Sequence, residues 1–139
     1  MLLLDTHVWI WSVEGNVRRI GRRARQLLAR AEAQEAIRLS PASIFELTAL
    51  HTAGRLRLTR SPAVWTQEAL GAAGIRLAPL SAVIALDAGS ISREALADPL
   101  DRLLVATARQ LDATLLTSDT RILDYVRETG NVRVADASR

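Results

Sequence analysis

Short apolar runs alternate with stretches of helical period along this chain. Leu2–Leu4, Ala36–Leu39, Ile75–Ala78, Thr114–Thr117 and Val132–Val134 read as strands. Between them, His7–Ser12 and Val17–Ala33 carry helical patterns. Ser40-Pro41 and Ser61-Pro62 each pair an N-cap residue with a proline suited to the first helical position. The helices they open are expected to end near Gly54 and Gly71. A short helix over Ser81–Gly89 follows, then one from Asp98-Pro99 to about Gln110, and a last one over Thr120–Thr129 closed by Gly130. Strands alternating with helices predict an α/β fold with a mainly parallel sheet of four to five strands and crossover helices on its faces. No linker, repeat or low-complexity stretch interrupts the pattern, so residues 1–139 are expected to form a single domain.

Composition narrows the chemistry. The chain has no cysteine and two histidines, His7 and His51. Thiolate metal sites and a three-histidine zinc site are therefore excluded. A metal here must be held mainly by oxygen, which favours Mg²⁺ or Mn²⁺. The formal charge is +3, and all 18 basic residues are arginine. Arginine suits bidentate phosphate contacts, although codon bias would yield the same count. The apolar start, Met1–Val13, is too short to span a bilayer, lacks a basic lead-in and carries Asp5 and His7. It is expected to be neither signal peptide nor anchor, leaving the cytoplasm as the expected location.

The carboxylates fall at telling places. Asp5 directly follows the first predicted strand and Asp119 lies two residues beyond the fourth. Both would sit at the carboxyl ends of parallel strands, where crevices form in open sheets. Each could equally be the N-cap of the helix that follows. Glu46 is the sole charged residue from Ala42 to Leu50. A carboxylate in so apolar a helix needs a cation or an arginine partner. Ser43, three residues earlier, would share its face. Asp98 is a natural cap before Pro99, and Asp101 follows in the first turn, where the helix dipole helps keep it ionised. Arg102 beside it could pair with a carboxylate or contact a phosphate. Two unit charges about 4 Å apart repel by roughly 4 kcal/mol at an effective dielectric near 20. Asp5, Glu46, Asp101 and Asp119 at one rim would thus require protonation or a divalent cation.

These residues, with their neighbours, resemble a known family: the PIN domain, and within it the VapC-like toxins. The matching stretches are Asp5-Thr6-His7 with Trp11 shortly after, Ser40 to Leu47, Gly54-Arg55-Leu56, Asp98 to Leu104 and Leu115 to Asp119. They occur in the family's order and spacing and span nearly the whole chain. The resemblance implies a three-layer α/β/α fold and a Mg²⁺- or Mn²⁺-dependent endoribonuclease. It also implies a homodimer and a VapB-type antitoxin that blocks the cleft. Asp5, Glu46, Asp101 and Asp119 match the acidic metal-binding positions, with Asp5 and Asp101 foremost as direct ligands. Thr6, Ser43 and Thr117 match small hydroxyl positions near the site, and Asp98 a supporting acidic one. The chain departs from the subgroup at Leu96, where a histidine is frequent, and at Leu100, where a phenylalanine is.

Phosphoryl-acceptor and aspartate-nucleophile folds also place Asp after the first strand, but by resemblance they require a lysine, and the chain has none. There is no G-x-S-x-G nucleophile motif and no glycine-rich nucleotide loop. The alternative from another class is a non-catalytic PIN-like module that binds RNA or protein. Arg18, Arg19, Arg22, Arg23 and Arg25 are spaced to line one helix face, either as a solvated surface or as a phosphate track. Trp9 and Trp11 are expected in core or partner packing, and His7 as a packed, hydrogen-bonded residue. Ligand and general base among the four acids, and one ion or two, stay open.

Overall fold

The computed structural model describes residues 1–72 and 74–139. Among them five strands alternate with seven helices. In chain order these are β1 (Leu2–Leu4), α1 (Thr6–Val13), α2 (Arg22–Ala33), β2 (Ile37–Leu39), α3 (Pro41–Thr52) and α4 (Pro62–Leu70). Then come β3 (Ile75–Leu77), α5 (Ala82–Ser90), α6 (Pro99–Leu111), β4 (Thr114–Thr117), α7 (Thr120–Thr129) and β5 (Arg133–Asp136). The strands form one all-parallel sheet in the order β3-β2-β1-β4-β5. The chain builds outward from β1 to one edge, then returns to add β4 and β5 on the other side. The order therefore reverses between β1 and β4, the switch point at whose carboxyl ends open α/β sheets form their crevice.

β1 is buried on both faces, as the centre of a parallel sheet must be. Leu2 and Leu4 enter a cluster with Trp9, Leu39, Leu47 and Trp65. Leu3 points the other way, into Leu104, Val105, Leu115 and Ile122. This period-two alternation gives the sheet two cores: helices α1 to α4 cover one face, and α6 and α7, with α5 outside α6, cover the other. Trp9 is fully buried and meets Trp65 edge-on at 5.0 Å.

The capping signals operate as the sequence indicates. Ser40, Ser61, Ser81 and Asp98 each accept a backbone N–H at a helix start. Gly130 ends α7 in the left-handed region at φ 63°, which a Cβ would disfavour. One expected helix is shorter than its pattern. The segment from Val17 does not continue into α2, because Ile20 is drawn into the core and Gly21 packs on the main chain of Arg139. Helix α2 begins at Arg22 and leaves Arg18 and Arg19 in the preceding turn. Its first turn has no side-chain cap. Instead the carbonyl of Arg139 accepts from Ala24 N–H at 2.9 Å, and that of Ala137 from Gly21 N–H at 2.9 Å.

A candidate metal centre at the strand switch point

Asp5 is delivered to the crevice because β1 pairing persists one residue past the strand: its N–H donates to the Leu116 carbonyl at 3.0 Å. Its carboxylate is buried and held from two sides. Thr6 N–H donates to Oδ1 at 2.7 Å, making Asp5 the cap of α1. The Thr117 hydroxyl, at the end of β4, donates to Oδ2 at 2.5 Å. Burial raises the Asp5 carboxyl above its ordinary range, the two hydrogen bonds pull it down, and the nearby Glu46 charge pushes it up again.

Thr117 also accepts from Asp119 N–H at 3.0 Å, so one buried hydroxyl ties the two aspartates of adjacent strands together. Asp119 caps α7 through Arg121 N–H at 2.8 Å and pairs with the exposed Arg121 guanidinium at 3.3 Å. This makes Asp119 a cap, as one reading of the sequence held, and adds an arginine partner that the spacing did not announce.

Helix α6 brings the next pair. Asp98 caps it through Leu100 N–H at 2.9 Å. Asp101, one turn in, is 6% exposed, and its buried Oδ2 has no hydrogen-bond partner. Burial chiefly, then the charges of Asp98, Asp119 and Asp5, push its carboxyl up to about 7; Arg121 opposes them weakly. That three carboxylates from α6, the β4 end and the β1 end all act on Asp101 is the geometric content of their convergence. Arg102 points elsewhere. It donates to the Ala97 carbonyl at 3.4 Å and forms no ion pair with Asp101 among the described residues.

Helix α3 supplies the fourth wall. Ser43 is buried and accepts from the Thr6 hydroxyl at 3.0 Å, fastening α3 to the start of α1. Glu46, three residues on, is half-buried and close enough for its charge to act on Asp5. It has no arginine partner among the described residues, so the ion-pair account of this carboxylate fails.

In their present rotamers no three His, Asp or Glu side chains of the described residues are gathered closely enough to hold an ion. The donor chemistry nevertheless suits a hard divalent cation: all-oxygen, acidic, and containing a buried carboxylate oxygen with no proton donor. Among the described residues the one side-chain cation paired with Asp119 is the exposed Arg121, and such pairs are weak.

His7 differs from the expectation of a packed residue. It is exposed on the first turn of α1, with its ring 6.0 Å from that of Trp11. No helix of the described residues is long and apolar enough to cross a membrane.

No curated protein matches the chain by sequence. Solved structures do match by fold. VapBC2 from Rickettsia felis bound to a promoter DNA fragment is similar with TM-score 0.69 and 14% identity, covering 97% of each chain. DNA-bound VapBC from Salmonella typhimurium gives 0.65 and 17%, covering 97% of this chain and 96% of that one. FitAcB from Neisseria gonorrhoeae gives 0.64 and 21%, covering 99% and 98%. Residues 2–128, which carry the whole carboxylate crevice, match the PIN domain model, and the chain belongs to the PIN domain family.

Proposed function

We propose that this chain is a Mg²⁺- or Mn²⁺-dependent endoribonuclease, the VapC-type toxin of a toxin–antitoxin pair. The observation that carries the reading is Asp101: a desolvated carboxylate with a partnerless oxygen, facing the charges of Asp5, Asp98 and Asp119. A structural role does not explain it, because Asp101 caps nothing and pairs with no arginine among the described residues. A cation explains both its burial and its neighbours.

When bound, the divalent ion supplies the Lewis acidity that activates water and offsets the charge building on the phosphate. Asp5 and Asp101 are the proposed direct ligands, with Asp119 and Glu46 completing the set. Thr117 fixes the Asp5 carboxylate, and one accepted hydrogen bond leaves Oδ2 with lone-pair capacity for a cation. Thr6 and Ser43 hold the α1 and α3 walls at one separation. Asp98 adds negative charge beside Asp101 and keeps the α6 start rigid. Glu46 or Asp119 would accept a proton from the attacking water. Arg102 and the exposed arginines before and within α2 are the proposed contacts for the RNA backbone.

The VapBC and FitAcB likenesses support a VapB-type antitoxin as partner, and the apolar α5 surface with Val83 and Leu86 exposed suits a homodimer. A cytoplasmic location fits both. The deciding experiment incubates the purified protein with transfer, ribosomal and messenger RNA in Mn²⁺, beside Asp5→Asn and Asp101→Asn. Cleavage by the wild type alone is expected. Equal silence of all three proteins across these substrates would refute the enzyme reading.

A further inference from the structure

The geometry points to His7, Trp11 and Arg19 as a stacking row that receives the bases of single-stranded RNA beside the carboxylate crevice. The inference rests on the ribonuclease reading and specifies which surface holds its substrate. His7 and Trp11 lie one turn apart on α1, with ring centroids 6.0 Å apart and planes at 50°. The Arg19 guanidinium stands 5.5 Å over the Trp11 ring. The row starts two residues after Asp5. Six residues of helical rise separate Asp5 from Trp11, about 9 Å along the axis. That is the reach of roughly two to three stacked nucleotides at about 3.4 Å each.

Three further observations select a nucleic acid. His7 and Arg19 are exposed, and Trp11 is half-exposed, whereas Trp9 and Trp65 are buried in the core. Arg18, Arg19, Arg22, Arg23 and Arg25 are all exposed, and none pairs with a carboxylate among the described residues. Beside the row, the lining of an open crevice of about 190 Å³ includes Trp11, Asn16, Val17, Ile20 and Arg25, together with one carboxylate, Glu32. It offers an aromatic wall, a side-chain amide that reads base edges, and a cation for phosphate. Flat aromatic and guanidinium faces with unpaired positive charge are what sequence-tolerant single-strand binding uses. Bases in a duplex are already stacked on each other, so a single strand is the form that fits.

Binding is measured by fluorescence anisotropy with a labelled mixed-sequence RNA oligonucleotide, single-stranded or in duplex, in EDTA so that nothing is cut. The wild type is expected to prefer the single strand and to show quenching of tryptophan emission. Trp11→Leu, which keeps apolar packing, should weaken binding about tenfold. Trp11→Phe should bind at an intermediate level without the quenching, and it serves if the leucine variant fails to fold. Arg19→Ala should lower the slope of log affinity against log salt by about one. Wild-type affinity and salt slope in folded Trp11 and Arg19 variants overturn the inference. So does loss of a protein partner's binding while RNA binding is unchanged. Cleavage in Mn²⁺ is scored separately. Trp11-dependent binding without cleavage by the wild type would sink the nuclease reading and leave the stacking row standing. Cleavage with Trp11-independent binding would do the reverse.

Discussion

Replacing Asp101 by asparagine should stabilise the metal-free protein while destroying its response to metal. The wild-type carboxyl is pushed from an ordinary 3.8 up to about 7 by burial and by Asp98, Asp119 and Asp5. Taken whole, such a shift corresponds to about 4 kcal/mol at roughly 1.4 kcal/mol per unit. The flanking charges of Asp98 and Asp119 are only half-buried and therefore partly screened, which reduces this to about 2 kcal/mol. The sign follows from proton binding. Between pH 4 and 7 the folded state keeps a proton that the unfolded state has lost, so wild-type stability falls as pH rises through that window. Above pH 7 both states are ionised and the full penalty stands. The asparagine side chain carries no charge to desolvate. In EDTA at pH 8 the variant should therefore be more stable by about 2 kcal/mol, a rise in Tm of roughly 6 °C for a chain of this size. At pH 4 the two should nearly coincide. Excess Mn²⁺ reverses the order at pH 8: at about a hundredfold over Kd the wild type gains about 2.7 kcal/mol and the variant little. Urea unfolding followed by tryptophan emission at pH 4, 6 and 8, in EDTA and in Mn²⁺, reads both the pH dependence and the metal response. A variant no more stable than wild type at pH 8 in EDTA, or a difference that does not change with pH, would show that Asp101 is not desolvated among like charges.

The other expectations rest on single contacts. Thr117→Val removes the hydroxyl that donates to Asp5 and accepts from Asp119 N–H. RNA cleavage should fall about 10- to 100-fold, with metal affinity falling alongside in a calorimetric titration. Gly21→Ala would place a Cβ into the main chain of Arg139. Freed from the α2 start, residues 137–139 should exchange amide protons faster, and stability should drop by about 1–3 kcal/mol in urea. Arg109 holds Asp87 with two guanidinium nitrogens, one of them 3.0 Å away, joining α6 to α5 and lowering the Asp87 carboxyl below its ordinary range. Arg109→Ala should cost about 1 kcal/mol at pH 7. Because the lowered carboxyl stabilises only above its unfolded pKa, that cost should vanish as pH falls through the folded value, checked by thermal unfolding from pH 7 to 3.

The fold was legible in the sequence where local chemistry and tertiary demand coincide. Ser40-Pro41, Ser61-Pro62 and Asp98-Pro99 start helices because cap and proline act within one turn, independent of what packs above them. Leu2–Leu4 reads as a central strand because a parallel strand covered on both faces has no polar side to show. The start of α2 was not legible: an arginine-rich helical pattern runs on from Val17, and what stops it is the distant Arg139 main chain at Gly21 together with the anchoring of Ile20. Such a contact leaves no periodic trace.

The carboxylates divide along the same line. Asp5, Asp98 and Asp119 are ambiguous in sequence because a residue at a strand-to-helix junction is positioned both to cap and to face the crevice, and in the structure all three do cap. Capping uses only part of a carboxylate's lone-pair capacity, so it does not exclude a ligand role. Glu46 and Asp101 discriminate better, because neither lies where a cap belongs and neither forms an ion pair with an arginine among the described residues. The hydroxyls complete the inference. Thr6 bonds to Ser43, while Thr117 bonds to Asp5 and Asp119, joining α1 to α3 and β4 to β1. A buried threonine could have been replaced by valine with no loss of volume if only packing were at stake. The hydroxyls instead fix the direction of the Asp5 carboxylate and the spacing of α1 and α3, an ordering that packing alone does not supply.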